Sequence, residues 1–334
     1  MIKLVIVTGS GRSGTSSVAG TLKRLGFHIP QPEVKADASN PLGYYEPSWV
    51  ARFHAKWLKS LPVRDVDTRP TAGEIAMADL DPEREERLRD WLAEELSARP
   101  DGDVVVIKET RAYWVYPLWQ RVAAATGADL VSLTMLRHPT QVVRSRDTKH
   151  LAGRGDEVRL QRETANVAAW MNSVFITERA TRDNPRAFVP YYDLIGDWRA
   201  AMTRACGQIG VPLGDLAAPH EVDDFVTPSL NRSVDSWDGL RVPDQLRDLA
   251  ERTWAAANTL VEEPYDAQAM AELPQLQATY SDLYAVSAAI ASDDTAAQVR
   301  AARKPLEERL LKKNERIVAL RKEVRALRGD AEPT

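Results

Sequence analysis

The chain has 334 residues, of which 44% are hydrophobic and 28% are charged, and its formal net charge at pH 7 is −4. This composition is typical of a globular protein and gives no general attraction to nucleic acid. The single cysteine, Cys206, excludes an intrachain disulfide and therefore a disulfide-stabilised secreted scaffold. No stretch approaches the ~20 apolar residues of a membrane span, and the short apolar N-terminus lacks a signal-peptide pattern. We therefore expect a cytoplasmic protein without a transmembrane segment.

Four short apolar runs predict the strands of a parallel sheet, at 2–7, 104–107, 130–136 and 187–190. Helical patterns alternate with them at 48–60, 112–126, 158–182 and 197–209, and two more follow at 244–262 and 265–290. An acidic helical hairpin is predicted at about 65–101. Strands that are covered by helices on both faces appear as continuous apolar runs. The predicted fold class is α/β, with three layers and a central parallel sheet, in one domain over 1–290.

The segment 299–328 has the apolar periodicity of a coiled coil. Two companion seams repeat every seven residues over about three heptads, with Lys313 as the polar interruption: Leu310, Ile317 and Val324 in one, and Leu306, Leu320 and Leu327 in the other. Ten Lys or Arg and four Glu lie between Arg303 and Arg328. The pattern predicts a C-terminal basic coiled-coil helix that supports a homo-oligomer. A contact of its basic face with an acidic membrane surface is a second hypothesis.

A glycine-rich loop, Gly9 to Ser16 (GSGRSGTS), joins the first predicted strand to a helix. Backbone N–H groups of such a loop and the positive end of the helix form an anion site. Gly9 and Gly14 have the spacing of the ATP-binding phosphate loop, but Thr15 stands where that pattern has Lys, and the cation is Arg12. The loop therefore predicts a P-loop-type fold that departs from the pattern of an ATPase.

The stretch RSGTS that begins at Arg12 resembles the 5′-phosphosulfate loop of the sulfotransferase superfamily, in which Lys or Arg precedes Ser-Gly-Thr. The resemblance covers about residues 2–235. It implies that the donor, 3′-phosphoadenosine 5′-phosphosulfate (PAPS), is bound by Gly11, Arg12, Ser13, Gly14, Thr15 and Ser16. A glycine-rich turn without a ligand and a nucleotide fold that uses ATP are the alternative interpretations.

Arg137 follows the third predicted strand, and Ser145 lies eight residues later in a predicted helix. An arginine and a hydroxyl together make a good phosphate clamp. The pair resembles the 3′-phosphate-binding element of sulfotransferases, which implies that it binds the phosphate that distinguishes PAPS from ATP. The stretch 225–233 (FVTPSLNRS) resembles the loop that closes over the nucleotide in this family. It implies phosphate binding by Arg232, and an exposed arginine is the alternative.

The resemblance implies in-line transfer of a sulfuryl group to a hydroxyl acceptor, with adenosine 3′,5′-bisphosphate as the product. Arg12 is the candidate that stabilises charge on the transferred group. The segment 40–47 (NPLGYYEP) resembles the part of carbohydrate and tyrosylprotein sulfotransferases that supplies a glutamate base. Glu46 is therefore the first candidate for the base, and His54 and Glu109 are its rivals.

Lys108 and Arg111 follow the second predicted strand, at the sheet edge where α/β folds bind ligands. They resemble a Lys-acid-x-Arg element of bacterial sulfotransferases. The resemblance implies that Lys108 supports the leaving group or the acceptor and that Arg111 binds an anionic acceptor, while an ion pair at a strand end is the alternative. No cluster of residues has metal-ligand spacing, so no metal is expected. The implied acceptor is a carbohydrate or glycolipid hydroxyl.

Two other functions stay open at this point. A P-loop nucleotide-dependent kinase of a small molecule would require the loop lysine and an acidic magnesium ligand, and the sequence shows neither at the expected place. A non-enzymatic assembly module would be driven by the helix at 299–328, with an inactive nucleotide fold.

Overall fold

The computed structural model describes residues 1–38, 40–147, 155–227 and 234–328. Its sheet has four parallel strands in the order β2-β1-β3-β4: β1 (Lys3–Thr8), β2 (Val104–Lys108), β3 (Asp129–Leu136) and β4 (Arg186–Pro190). Each strand lies within one residue of its predicted bounds. The prediction of an α/β fold with a central parallel sheet is confirmed.

The sheet is covered on both faces, as the continuous apolar runs predict. Alternate residues of a strand point to opposite sides of the sheet. On one side, Val5 packs in a core cluster with Leu22 of the first helix, and on the other, Leu4 and Ile6 pack in a cluster with Trp119. Four residues of β1, 4–7, have no exposed surface. The fold therefore has three layers, with β1 near the middle.

The helices follow the predicted patterns closely. Their bounds are α1 (Thr15–Arg24), α2 (Ser48–Ser60), α3 (Ala72–Ala78), α4 (Pro82–Ser97), α5 (Tyr116–Thr126), α6 (Pro139–Asp147), α7 (Asp156–Ala180), α8 (Tyr191–Gly196), α9 (Trp198–Gln208), α10 (Val222–Phe225), α11 (Asp244–Thr259), α12 (Ala267–Ile290) and α13 (Ser292–Arg328). A short 3-10 helix (Ala112–Val115) precedes α5. The two short helices α8 and α10 carry too few residues to show a helical period in the sequence.

The acidic hairpin at 65–101 contains α3 and α4, and it contributes to the core. Leu88, Leu92 and Leu96 of α4 are buried in the same cluster as Trp119. They recur every four residues, which places them on one face of the helix, while the charged residues occupy the other face. The hairpin therefore completes the helical layer on that side of the sheet.

Contacts divide the chain into two compact units, residues 1–280 and residues 281–334. The described part of the second unit contains the end of α12 and the 37-residue helix α13. Within the described ranges, every helix is too short or too polar to cross a membrane.

Candidate active site

The predicted site residues converge on the carboxyl ends of three neighbouring strands. Lys108, the last residue of β2, pairs in register with Val7 of β1, one residue before the strand ends. Thr8 pairs with Thr134 of β3, three residues before Arg137. In the sheet, β2 lies on one side of β1, and β3 lies on the other side. Parallel sheets bind ligands at such a switch point, because the loops diverge there and leave a crevice.

Glycine is required at both ends of the loop that follows β1. Gly9 has φ of 134°, and a Cβ atom there would lie 2.6 Å from the carbonyl oxygen of Met135. Gly14 has φ of 95°, and its Cβ atom would lie 2.3 Å from the ring of Tyr191. The loop is thus pressed against β3 and α8 while α1 begins at Thr15. The first backbone N–H groups of a helix have no partner within it and are available to an anion.

The two predicted phosphate elements are in direct contact. Arg12 donates from Nε to the hydroxyl of Ser145, over 3.1 Å, although 133 residues separate them. Arg137 donates from Nη1 to the carbonyl oxygen of Arg12, over 3.1 Å, and from Nε to Oε1 of Gln141, over 3.0 Å. Its guanidinium lies 4.3 Å from the ring centroid of Tyr191. The structure therefore brings Arg12, Arg137 and Ser145 together.

The positive charge of Arg137 has one carboxylate near enough to act on it, Asp235, and the effect of this carboxylate is smaller than that of burial. Arg137 is only 7% exposed, and burial lowers its pKa. Among the described residues, no carboxylate lies within 4.0 Å of the guanidinium of Arg12 or Arg137. A buried cation without a carboxylate at ion-pair distance is costly unless an anion binds beside it. The arrangement therefore suits a bound anion.

Arg146 is a part of this cluster that the sequence did not single out. It donates from Nη2 to the hydroxyl of Ser10 and to the carbonyl oxygen of Gly11, over 3.2 and 3.0 Å. From Nη1 it reaches Asn166 of α7, over 3.3 Å. Arg146 therefore fastens the glycine loop to two helices. Its position directly after Ser145 was the only available signal, and a flanking arginine is more often exposed to solvent.

The buried hydroxyl of Ser13 also fits a ligand site. Ser13 is 1% exposed, and its oxygen has no hydrogen-bond partner among the described residues. It lines a small cavity beneath the loop together with Ser10, Thr134 and Ser173. Buried hydroxyls are rarely left without a partner, so a ligand atom or a water molecule is expected there.

Glu46 and Lys108 form a buried ion pair, with Oε1 and Nζ 2.5 Å apart. Burial raises the pKa of Glu46 above its ordinary value, and the charge of Lys108 acts in the opposite direction. The segment that carries Glu46 is held against α1, because Asn40 donates from Nδ2 to the hydroxyl of Ser16 over 3.2 Å. The preceding Tyr45 has φ of 56° and packs beside α1. A carboxylate with a raised pKa therefore lies on a segment attached to the glycine-loop helix.

Glu109 and His54 form a second buried network. Glu109 has no exposed surface and accepts from Nε of Arg111 over 2.6 Å, while His54 contacts it through Nδ1 over 2.6 Å. Burial alone would raise the pKa of Glu109, but the hydrogen bonds from His54 and Arg111 outweigh it and lower the pKa. His54 is also fully buried, and its Nε2 has no partner among the described residues. Both rival bases therefore lie beneath the surface.

The remaining site predictions concern a phosphate ligand and a metal. Arg232 lies outside the described residues. Later in the chain, the carbonyl oxygens of Ser236 and Asp238 accept from Nη2 of Arg144 over 2.8 and 2.7 Å. Over the described ranges, no group of three His, Cys, Asp or Glu side chains is arranged to hold a metal ion.

Comparisons with known proteins give structural matches only. No protein-family model and no curated protein matches the sequence. One similar structure is the sulfotransferase domain from the Synechococcus PCC 7002 olefin synthase, at 16% identity and a TM-score of 0.43, covering 78% of this chain and 94% of that one. Another is the sulfotransferase domain from the curacin biosynthetic pathway, at 15% identity and a TM-score of 0.34, covering 83% and 98%.

Proposed function

We propose that this chain is a sulfotransferase that transfers a sulfuryl group from PAPS to a hydroxyl acceptor. The observation that carries the proposal is the buried guanidinium of Arg137, which contacts the glycine loop and has no carboxylate within ion-pair distance among the described residues. Together with Arg12 and the start of α1, it would offer hydrogen-bond donors to more than one phosphate group. A nucleotide with phosphate groups at both its 3′ and 5′ positions fits such a site.

The two ends of the donor are assigned to the two contacting elements. The loop from Gly11 to Ser16 would hold the 5′-phosphosulfate with backbone N–H groups and hydroxyls. Arg137 and Ser145 would hold the 3′-phosphate, since both lie on the β3 side of the loop. Arg12 also donates from Nε to the hydroxyl of Ser145. We expect Arg12 to exchange this bond for one to the transferred group when the donor binds.

Glu46 is proposed as the base. It would take the proton of the acceptor hydroxyl as the new oxygen–sulfur bond forms and the bond from sulfur to the bisphosphate oxygen breaks. Its raised pKa suits a group that must accept a proton near neutral pH. Lys108 would then become available to stabilise the charge of the leaving bisphosphate. Glu109 suits this role poorly, because it is fully buried and already accepts hydrogen bonds from His54 and Arg111.

A kinase is the less well supported candidate. The phosphate loop of kinases in this fold class carries a lysine directly before its Ser or Thr, and Thr15 occupies that position here. The cation of this loop, Arg12, instead lies beside the second phosphate element. This placement favours a ligand with a phosphate on its ribose over ATP. The acceptor is proposed to be a carbohydrate or glycolipid hydroxyl on the resemblance of the segment around Glu46 alone.

Transfer of radiolabelled sulfate tests the proposal. The purified chain is incubated with labelled PAPS and an extract of the producing cell, and the label is followed into sugar, lipid and protein fractions. Glu46→Gln should lower the transfer rate by about 10²-fold to 10³-fold. The matched control is Glu95→Gln, because burial also raises the pKa of this α4 carboxylate, which lies beside His28 near the first residue of β2 and not at the carboxyl ends of the strands. An absence of transfer by the wild-type chain, with donor binding intact, would contradict the proposal.

A further inference from the structure

The helix α13 presents an apolar stripe to solvent. Its seam residues keep between 45% and 87% of their surface exposed: Leu306, Leu310, Ile317, Leu320, Val324 and Leu327. We call these six residues, with Lys313, the α13 seam. A contiguous row of large apolar side chains on a charged helix is typical of a surface that another molecule covers. The seam starts directly after Pro305, so its three heptads lie beyond the interior proline.

We propose that the α13 seam pairs with the α13 seam of a second copy of this chain, in antiparallel orientation. The spacing of the seam is the first argument. Successive seam residues are alternately three and four positions apart, which is the a and d pattern of a two-helix coiled coil. Leu310, Ile317 and Val324 occupy a positions. Leu306, Lys313, Leu320 and Leu327 occupy d positions.

Charge argues against a parallel pair. In a parallel dimer in register, Lys313 would face Lys313 of the partner subunit inside the apolar seam, and two buried like charges repel strongly. Beside the seam, Arg316 at a g position would face Arg321 of the partner subunit at an e position. Both contacts are unfavourable, and each occurs at the centre of the pair.

An antiparallel pair centred on Glu315 removes the buried repulsion. Leu310 then faces Leu320 of the partner subunit, and Lys313 faces Ile317 of the partner subunit, where its aliphatic stem can pack while the ammonium group reaches solvent. Beside the seam, Arg309 faces Glu323 of the partner subunit. Because the pair is symmetric, each of these contacts occurs twice.

The opposite flank adds a second complementary contact. Glu307 faces Arg321 of the partner subunit, again twice by symmetry. On the first flank, between the two contacts of Arg309 with the partner's Glu323, Arg316 faces Arg316 of the partner subunit once, on the solvent side of the seam. Four attractive contacts and one exposed repulsion flank the antiparallel seam, and each exposed pair is worth only about 0.2–1 kcal/mol. The buried repulsion between the two Lys313 side chains therefore decides against the parallel pair.

Matched variants of the full chain test whether the α13 seam pairs with a second copy. Analytical ultracentrifugation should give twice the chain mass of 37.2 kDa for the wild type. Leu310→Glu with Ile317→Glu should give the single mass. The control is Leu311→Glu with Val318→Glu, which changes neighbouring residues of similar exposure, 61% and 65%, outside the seam, and should stay dimeric. All four positions are exposed on one helix, so unchanged circular dichroism checks folding.

Disulfide formation tests the orientation. Leu310→Cys and Leu320→Cys should each fail to crosslink alone, while an equimolar mixture of the two should give a covalent dimer. The native Cys206 does not interfere, because it is buried and burial raises its pKa to about 12. Crosslinking of either single variant with itself would overturn the antiparallel arrangement. A wild-type chain with the mass of one copy in ultracentrifugation would overturn pairing through the seam. The same result would follow if the two double variants had equal mass. Recovery of a monomeric chain on phosphatidylserine vesicles would assign α13 to a membrane surface instead.

Discussion

Replacement of Arg137 by Met should separate binding from stability. The change removes the guanidinium and keeps an unbranched side chain. It loses hydrogen bonds to the carbonyl of Arg12 and to Gln141 and the contact with the ring of Tyr191, worth about 1 kcal/mol each. It also relieves the burial of a cation that has no carboxylate within 4.0 Å among the described residues, a cost on the order of several kcal/mol. Because these effects oppose each other, we expect the free energy of unfolding to change by less than about 2 kcal/mol.

Ligand binding should change far more. Hydrogen bonds to a charged group contribute about 1.5–3 kcal/mol each, and Arg137 would lose its bonds to the 3′-phosphate. A loss of about 3 kcal/mol corresponds to a weakening on the order of 100-fold. Adenosine 5′-monophosphate lacks that phosphate, so Arg137→Met should change its affinity by about twofold or less. Such a change corresponds to less free energy than one weak contact contributes.

Isothermal titration calorimetry with adenosine 3′,5′-bisphosphate and adenosine 5′-monophosphate measures both affinities, and urea denaturation measures stability. Arg121→Met is the control, because Arg121 is an exposed arginine of α5 that pairs with Glu85. Equal weakening of both ligands by Arg137→Met would refute the assignment of the 3′-phosphate to Arg137. Unchanged binding of the bisphosphate would refute it as well.

Three further substitutions test other parts of the site. Lys108→Met should move the acidic limb of the pH–rate profile to higher pH, because Lys108 lowers the pKa of Glu46 and the base must be deprotonated to act. Gly14→Ala should lower the free energy of unfolding by about 1–3 kcal/mol more than Gly102→Ala in urea denaturation. Both have positive φ, but only at Gly14 does a Cβ atom meet another side chain. Glu109→Gln should lower the free energy of unfolding by about 3 kcal/mol in the same assay, because Arg111 and His54 lose the opposite charge beside them. The bisphosphate affinity of the folded chain should not change.

Local sequence patterns were sufficient for the sheet and for the glycine loop. The short apolar run 104–107 favoured a buried strand, and the spacing of Gly9 and Gly14 indicated the loop. Residues that follow parallel strands meet at one edge, so the neighbourhood of Lys108 and Arg137 was also predictable.

Contacts between distant side chains could not be predicted in this way. The bond from Arg12 to Ser145 spans 133 residues, and Glu46 and Lys108 are 62 residues apart. Which of several carboxylates pairs with which cation depends on the register of the strands and on how deeply each side chain is buried. The sequence could therefore name Glu46, His54 and Glu109 as rival bases, and of these three only Glu46 keeps any exposed surface in the structure.

In the proposed function, the arginine cluster recognises a nucleotide by its ribose phosphate. Calorimetric titration of the wild-type chain with adenosine 3′,5′-bisphosphate and with ATP measures this recognition. We predict that the bisphosphate binds on the order of 100-fold more tightly than ATP, because only the bisphosphate offers a phosphate to Arg137. Binding of ATP that equals or exceeds that of the bisphosphate would contradict the account.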